Sequence, residues 1–301
     1  MANVHILGAG AVGLSFAFHL SKYHEITLLT RSKKTDTFYY QENEVVTPIA
    51  TDITDITSLT PQDTISICFI CVKAYQLIDA FNAIQPFLAP EAKIIISHNG
   101  ITDLTELTSQ LNSSQSLFFM STSRGALKPS SNTVVQTGIG ATYLGACNTE
   151  AENNIDAFYE EVFSKSIAVS AIHKDMALLR WQKLMVNIAI NPLTALHQVQ
   201  NGRLLKPSYA TQVINLLNEA CFIAHKLGID IALADALNSA YTVMRQTRFN
   251  NSSMAQDVKL GRKTEIEAIC GYIVSEAKKL GLDTPYNRTM LEQINHLEQT
   301  S

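Results

Sequence analysis

The sequence predicts an α/β protein in which a doubly wound, mainly parallel sheet fills the N-terminal part and an all-helical domain follows. Three observations carry this. Short apolar runs alternate with helical patterns through the first half. A glycine-rich stretch, "GAGAVG" (8–13), follows the first apolar run. After about residue 172, long amphipathic patterns succeed one another with no strand between them. Alternation of this kind marks βαβ units, whereas uninterrupted helical periodicity marks helix-on-helix packing.

Taken in order, "VHILG" (4–8) and "EITLLT" (25–30) read as strands, with the helical stretch "AVGLSFAFHLSKY" between them. "ISICFICV" (65–72), "AKIIIS" (92–97) and "SLFFMST" (116–122) are further buried strands, and "QLIDAFNAIQPFL" (76–88) is a helix. The Thr- and Asp-rich segment 45–64 reads as an edge strand or a loop excursion, and "TSQLNSSQS" (108–116) as a connection. "DMALLRWQKLMVNIAI", "ATQVINLLNEACFIAHKLG", "LADALNSAYTVMRQ" and "TEIEAICGYIVSEAKKLG" are the helices of the second part. The expected domains are therefore 1–171 and 172–301, with a ligand cleft expected between them.

The bulk numbers exclude several classes of function. With 301 residues, 46% hydrophobic and 17% charged, the chain has an ordinary globular balance. Its net charge of −4 offers no electrostatic reason to bind nucleic acid or an anionic membrane. No apolar run approaches the ~20 residues of a membrane span. The N-terminus lacks a basic leader and is broken by glycines, so no signal peptide is expected. Cysteines at 68, 71, 147, 221 and 270 are odd in number and scattered, so they form no disulfide framework. Cys68 and Cys71 have CxxC spacing, yet they sit inside an apolar strand and read as buried thiols. The histidines show no metal-ligand spacing, and a reducing cytoplasmic setting fits best.

In "GAGAVG" a strand enters the loop and a helix leaves it, which is the context of a dinucleotide-binding turn in a Rossmann-type domain. Gly8 would make the tight turn, Gly10 would admit a pyrophosphate to the backbone, and Gly13 would let helix and strand pack closely. The backbone N–H groups from Gly8, Ala9, Gly10, Ala11, Val12 and Gly13 onward then favour phosphate. The second strand leads into "TRSKK" (30–34) with no acid to take a ribose 2′-hydroxyl. Arg31, with Lys33 and Lys34 behind it, suits a 2′-phosphate, so NADPH/NADP+ is expected over NADH. The plainer reading is a solvated basic turn.

In "WQKLMVNIAINPLTAL" (181–196), Lys183, Asn187 and Asn191 fall on one helix face amid apolar neighbours. Such a stripe is either a functional site or a hydrogen-bonded clamp between the domains. Pro192 is expected to kink or end the helix there.

These segments, with "ILGAGAVG", "VKAYQ" (72–76), "HNG" (98–100) and "NNSSMAQDVKLGRKTEIEAICG" (250–271), resemble the ketopantoate reductase (2-dehydropantoate 2-reductase) family over nearly the whole chain. The resemblance implies NADPH-dependent reduction of a 2-oxo acid, 2-dehydropantoate, to (R)-pantoate for coenzyme A synthesis, as a monomer or homodimer. It makes Lys183 the general acid and Glu265 the carboxylate that helps hold it and the substrate. Asn187, Asn191 and the Ser253 hydroxyl become substrate contacts. Asn99 becomes a contact near both nicotinamide and substrate, and Lys73 a lysine near the cofactor. Read without the family, Lys73 could be solvated, Asn99 and Gly100 a turn, Ser252 and Ser253 helix caps, and Glu265 a partner of Arg262 or Lys263. Gln136 sits where the family often has His or another residue, and Tyr75 is one of several variants found at its place, which bears on the shape of the substrate pocket. A reductase of another 2-oxo acid and a non-catalytic NADPH sensor are the two rival readings.

Overall fold

Strand β1 (Asn3–Leu7) buries every residue after its first, as a strand must when helices cover both faces of a parallel sheet. We analysed a computed structural model, which describes residues 1–31, 37–166 and 168–300. The chain continues through α1 (Ala11–Leu20), β2 (Glu25–Thr30), β3 (Tyr39–Glu42), β4 (Val45–Pro48), β5 (Asp52–Asp55) and β6 (Ile65–Ile70). Then come α2 (Leu77–Ile84), β7 (Leu88–Ile96), α3 (Thr105–Ser109), β8 (Ser116–Thr122), β9 (Gly125–Leu127), β10 (Thr133–Gly138), β11 (Thr142–Ala146), α4 (Thr149–Val162) and β12 (Ala171–Ile172). The second part is α5 (Met176–His197), α6 (Ala210–Lys226), α7 (Leu233–Gln246), α8 (Ser253–Lys259), α9 (Tyr272–Lys279) and α10 (Pro285–Thr300).

The larger sheet runs β12-β11-β8-β7-β6-β1-β2-β5. Every neighbouring pair in it is parallel except β11 with β8. Because β1 lies between β6 and β2, strand order reverses there, and the loops leaving β1, β2 and β6 emerge at one edge. That edge receives Gly8, Arg31 and Lys73 from three separate stretches of sequence. Segment 45–64 supplies β5, the outer strand beside β2.

A smaller sheet, β4-β3-β10-β9, was not apparent from the sequence. It packs on α1: Tyr40 of β3 stacks on Phe18 with ring centroids 4.2 Å apart. The Tyr40 hydroxyl donates to Gln136 Oε1 of β10 at 2.9 Å. Gln136 is thus tied to the frame of the smaller sheet. Cys68 and Cys71 are free and buried, and burial raises both thiols, Cys71 to about 12. Neither is a reactive thiolate.

The chain divides into two units, Met1–His98 with Asp103–Met176, and Asn99–Thr102 with Ala177–Ser301. The first therefore runs past the expected limit at 171. The reason is β12, which pairs with β11 through Tyr143↔Ala171 and Leu144↔Ile172 and keeps the chain in the large sheet. Four residues after β7, Asn99–Thr102, group with the helical unit, where Ile101 N–H donates to the Ala268 carbonyl at 2.8 Å.

Each unit has its own core. That of the helical unit gathers Trp181, Leu184, Met185, Ile188 and Leu193 of α5 with apolar residues of α6, α7, α9 and α10. Leu193 is 0% exposed, and burying such a side chain contributes about 1.5–3 kcal/mol. This explains why α5 does not end at Pro192, where a kink or an end was expected. The helix runs on to His197 with Pro192 inside it. Just beyond the proline, the Thr194 hydroxyl donates to the Ile190 carbonyl at 2.7 Å, one turn back along the same helix. Among the described residues, no helix is long and apolar enough to cross a membrane.

Candidate active site

The expected site residues fall into two groups, each within its own unit. In the first unit, β1 delivers the chain into a turn where Gly8 has φ +116°, a conformation that side chains strongly disfavour. A Cβ on Gly8 would collide with the Cys71 carbonyl beside it, and one on Gly13 would collide with the Gly8 carbonyl. Gly10 differs, because nothing lies within 4 Å of where its Cβ would stand. The turn is thus closed on its inner side and open at Gly10. There α1 begins without a side-chain cap and without an acidic residue in its first turn. An uncapped helix start beneath an open glycine is a cradle that fits an anionic group.

Arg31 is exposed and directly follows β2, while Lys33 and Lys34 lie outside the described residues. Lys73 is half-buried and opens the short turn Ala74–Gln76 three residues after β6. Since β1 pairs with both β2 and β6, these two cations leave the sheet at the edge that carries the glycine loop.

In the helical unit, Lys183, Asn187 and Asn191 share one face of α5, which Trp181 anchors by an edge contact with Tyr272 at 5.6 Å. Glu265 is buried at 5% exposure. It grips Asn99 twice: Oε1 accepts from the Asn99 backbone N–H at 3.1 Å and Oε2 from its side-chain amide at 3.0 Å. Glu265 is thus a buried partner of Asn99, and Arg262, one of the two cations expected beside it, bonds Asp257 at 3.0 Å.

Lys183 lies within electrostatic reach of Glu265. Burial brings its amine down from 10.5 to about 8, Glu265 pulls it back up, and Arg180 pushes it down. The amine is deep although part of the side chain remains accessible. The amide nitrogen of Asn187 is buried and has no hydrogen-bond partner among the described residues. An orphaned donor beside a tuned lysine is unusual in a structural clamp and natural where a ligand completes the bond.

Ser252, rather than Ser253, caps α8: its Oγ accepts from Ala255 N–H at 3.0 Å. Ser253 is exposed at the first helical position. The segment before it is held by Asn201 N–H to the Asn250 carbonyl at 3.0 Å and Gly202 N–H to the Arg248 carbonyl at 3.1 Å. Ser252 Oγ also lies 2.7 Å from the fully buried Thr194 Oγ1. A bond between these hydroxyls fastens the stretch of α5 after Asn191 to the start of α8.

Sequence reasoning missed Arg180, although the helical period that singled out Lys183 extends to it, three residues earlier and one full turn-pair before Asn187. Among the described residues, no cluster of side chains suits a metal ion.

Residues 4–149 match the family described as "Ketopantoate reductase PanE/ApbA", and residues 175–298 match "Ketopantoate reductase PanE/ApbA C terminal". The chain is similar to the 2-dehydropantoate 2-reductase of Vibrio cholerae, 33% identical over 299 residues that cover 99% of this chain and 98% of that one. It is similar to the solved probable 2-dehydropantoate 2-reductase of Bacillus subtilis, at 28% identity and a TM-score of 0.81, covering 98% of this chain and 99% of that one. A D-mandelate dehydrogenase solved with NADH and anilino(oxo)acetate shares the fold, with a TM-score of 0.91 at 20% identity, covering 99% of this chain and 98% of that one.

Proposed function

The chain belongs to the ketopantoate reductase family of oxidoreductases, and from that premise we propose that it reduces 2-dehydropantoate to (R)-pantoate with NADPH, in the cytoplasm, with Lys183 as general acid. The observation that carries this reading is the Lys183–Glu265–Asn99 constellation, in which a buried amine is tuned to about 8 beside a carboxylate that grips Asn99.

The glycine loop, with Gly8, Ala9, Gly10, Ala11, Val12 and Gly13, would hold the pyrophosphate. Arg31 would take the 2′-phosphate, and Lys73 and Asn99 would lie along the cofactor. The chemistry such a cofactor supplies is a hydride for the ketone carbon. As negative charge grows on the ketone oxygen, the Lys183 ammonium stabilises it and gives up a proton to make the alcohol. A lysine near 8 is a much better acid at neutral pH than one at 10.5, yet it remains mostly charged. Asn187 would spend its orphaned N–H on the substrate, and Asn191 and the Ser253 hydroxyl would orient the rest. Glu265 holds Asn99 in place and offsets the burial cost of the Lys183 charge. The chain's uniformly free cysteines suit a reducing compartment.

Two measurements test the parts of this reading. Arg31→Asp should raise the Kd for NADPH by about tenfold or more and leave that for NADH within about twofold. Equal effects on both cofactors would remove Arg31 from the 2′-phosphate. For the substrate, kcat/KM for 2-dehydropantoate should exceed that for phenylglyoxylate by at least two orders of magnitude. The reverse order would keep the chemistry and move the substrate to another 2-oxo acid.

A further inference from the structure

Gly100 lies in the segment Asn99–Thr102 that groups with the helical unit, and its φ is +76°. A Cβ there would run into the Ala268 carbonyl oxygen, and would stand 2.6 Å from the carbonyl carbon and 2.8 Å from the Ala268 Cβ. Two of these obstacles are backbone atoms that cannot rotate away, so the approach is open to glycine alone. Three hydrogen bonds bracket it. Ahead of it, the Asn99 N–H and side-chain amide donate to Glu265 at 3.1 and 3.0 Å. Behind it, the Ile101 N–H donates to the Ala268 carbonyl at 2.8 Å.

The acceptors are fixed in their turn. Glu267–Gly271 winds as a π-helical turn immediately before α9, and such turns recur at functional sites. Helix α10 holds the stretch in two places: Thr264 N–H donates to Glu298 Oε1 at 2.8 Å, and Asn295 Nδ2 donates to Glu267 Oε1 at 2.9 Å. Thr264 Oγ1 accepts from Ile266 N–H at 3.1 Å, so Glu265 sits between two anchored residues. With a Cβ on Gly100, the segment would have to retreat by on the order of 1 Å to restore ordinary carbon–carbon contact. Asn99 is the adjoining residue, and its amide would be drawn off the Glu265 carboxylate. We propose that Gly100 is a positioning residue for the reduction: its missing side chain lets the segment close on Ala268 and so sets the Asn99 amide against Glu265. The inference rests on the proposed reading of Asn99 and Glu265 as site residues.

The test measures kcat/KM for 2-dehydropantoate with NADPH on the full chain, for wild type, Asn99→Ala, Gly100→Ala and the double variant. Gly100→Ala and Asn99→Ala should each lose about 10- to 100-fold, the scale of a misplaced or missing contact. Because Gly100 acts through Asn99, adding Gly100→Ala to Asn99→Ala should cost no more than about a further twofold. Ala268→Val crowds the same gap from the helix side and leaves Gly100 intact, so it should repeat the pattern, alone and combined with Asn99→Ala. Thermal melting shows which variants are folded, and if Gly100→Ala is not, the cycle is read from Ala268→Val. A folded Gly100→Ala enzyme within about twofold of wild type overturns the inference. So do losses that multiply in the double variants, because general disruption would add to the missing amide. Asn99→Ala with normal kcat/KM, or wild type that reduces no 2-oxo acid, would instead overturn the reading of the site and this inference with it.

Discussion

Lys183→Ala is expected to lower kcat by about two to four orders of magnitude, the span that a positioned general acid contributes. NADPH affinity should stay within about twofold of wild type, because the residues assigned to the cofactor phosphates belong to the glycine loop and the strand ends beside it. Lys183→Arg sharpens the test. It keeps a positive charge on the same face of α5, but a guanidinium does not give up its proton in this pH range. Turnover should therefore remain severely reduced, so that charge stabilisation and proton donation are separated. The pH dependence follows with a definite sign. Below about 8 the Lys183 amine holds its proton and can act as the acid, and above about 8 it is neutral. Hence kcat/KM, which reports the free enzyme, should fall as pH rises through about 8. Near-normal turnover in Lys183→Ala would contradict this mechanism.

Glu265→Gln is expected to cost kcat/KM about 10- to 100-fold, in keeping with the ~1–3 kcal/mol lost when a buried polar group is deprived of its partner. The carboxylate now accepts from both the backbone and the side chain of Asn99. Glutamine can accept with its single carbonyl oxygen, but its NH2 group would meet one of the two donors. The second consequence separates a chemical role from a purely structural one. Glu265 is the influence that raises the Lys183 amine against burial and Arg180. Without that charge, the descending limb of kcat/KM should move to lower pH. A variant with reduced kcat/KM and an unmoved limb would show that Glu265 positions Asn99 without tuning Lys183.

The legible parts of this protein were those whose signal is local. The strands β1, β2, β6, β7 and β8 are short apolar runs, and the loop after β1 announces itself by three glycines in a strand-to-helix setting. The Lys183–Asn187–Asn191 stripe is legible because a helix converts spacing into a face. The smaller sheet was not, since "YYQE", "VVTP" and "GAL" are too short and too polar to stand out, and β3 pairs with β10 far along the chain. The grip of Glu265 on Asn99 spans 166 residues and has no periodicity to betray it. Only family resemblance suggested those residues from the sequence. Pro192 was expected to kink or end α5, and the helix does not end there because the apolar face after it, including Leu193 and Ala195, lies in the core of the helical unit. The limit of the first unit moved for a similar reason, because two residues of β12 find a partner strand that their own sequence does not announce.

The most direct test of the central claim is the initial rate of NADPH oxidation when 2-dehydropantoate is added to the purified protein, with NADH and other 2-oxo acids run in parallel. The account predicts saturable turnover that prefers NADPH and 2-dehydropantoate. NADPH binding with no turnover of any 2-oxo acid would contradict it and leave a protein that senses the cofactor without using it.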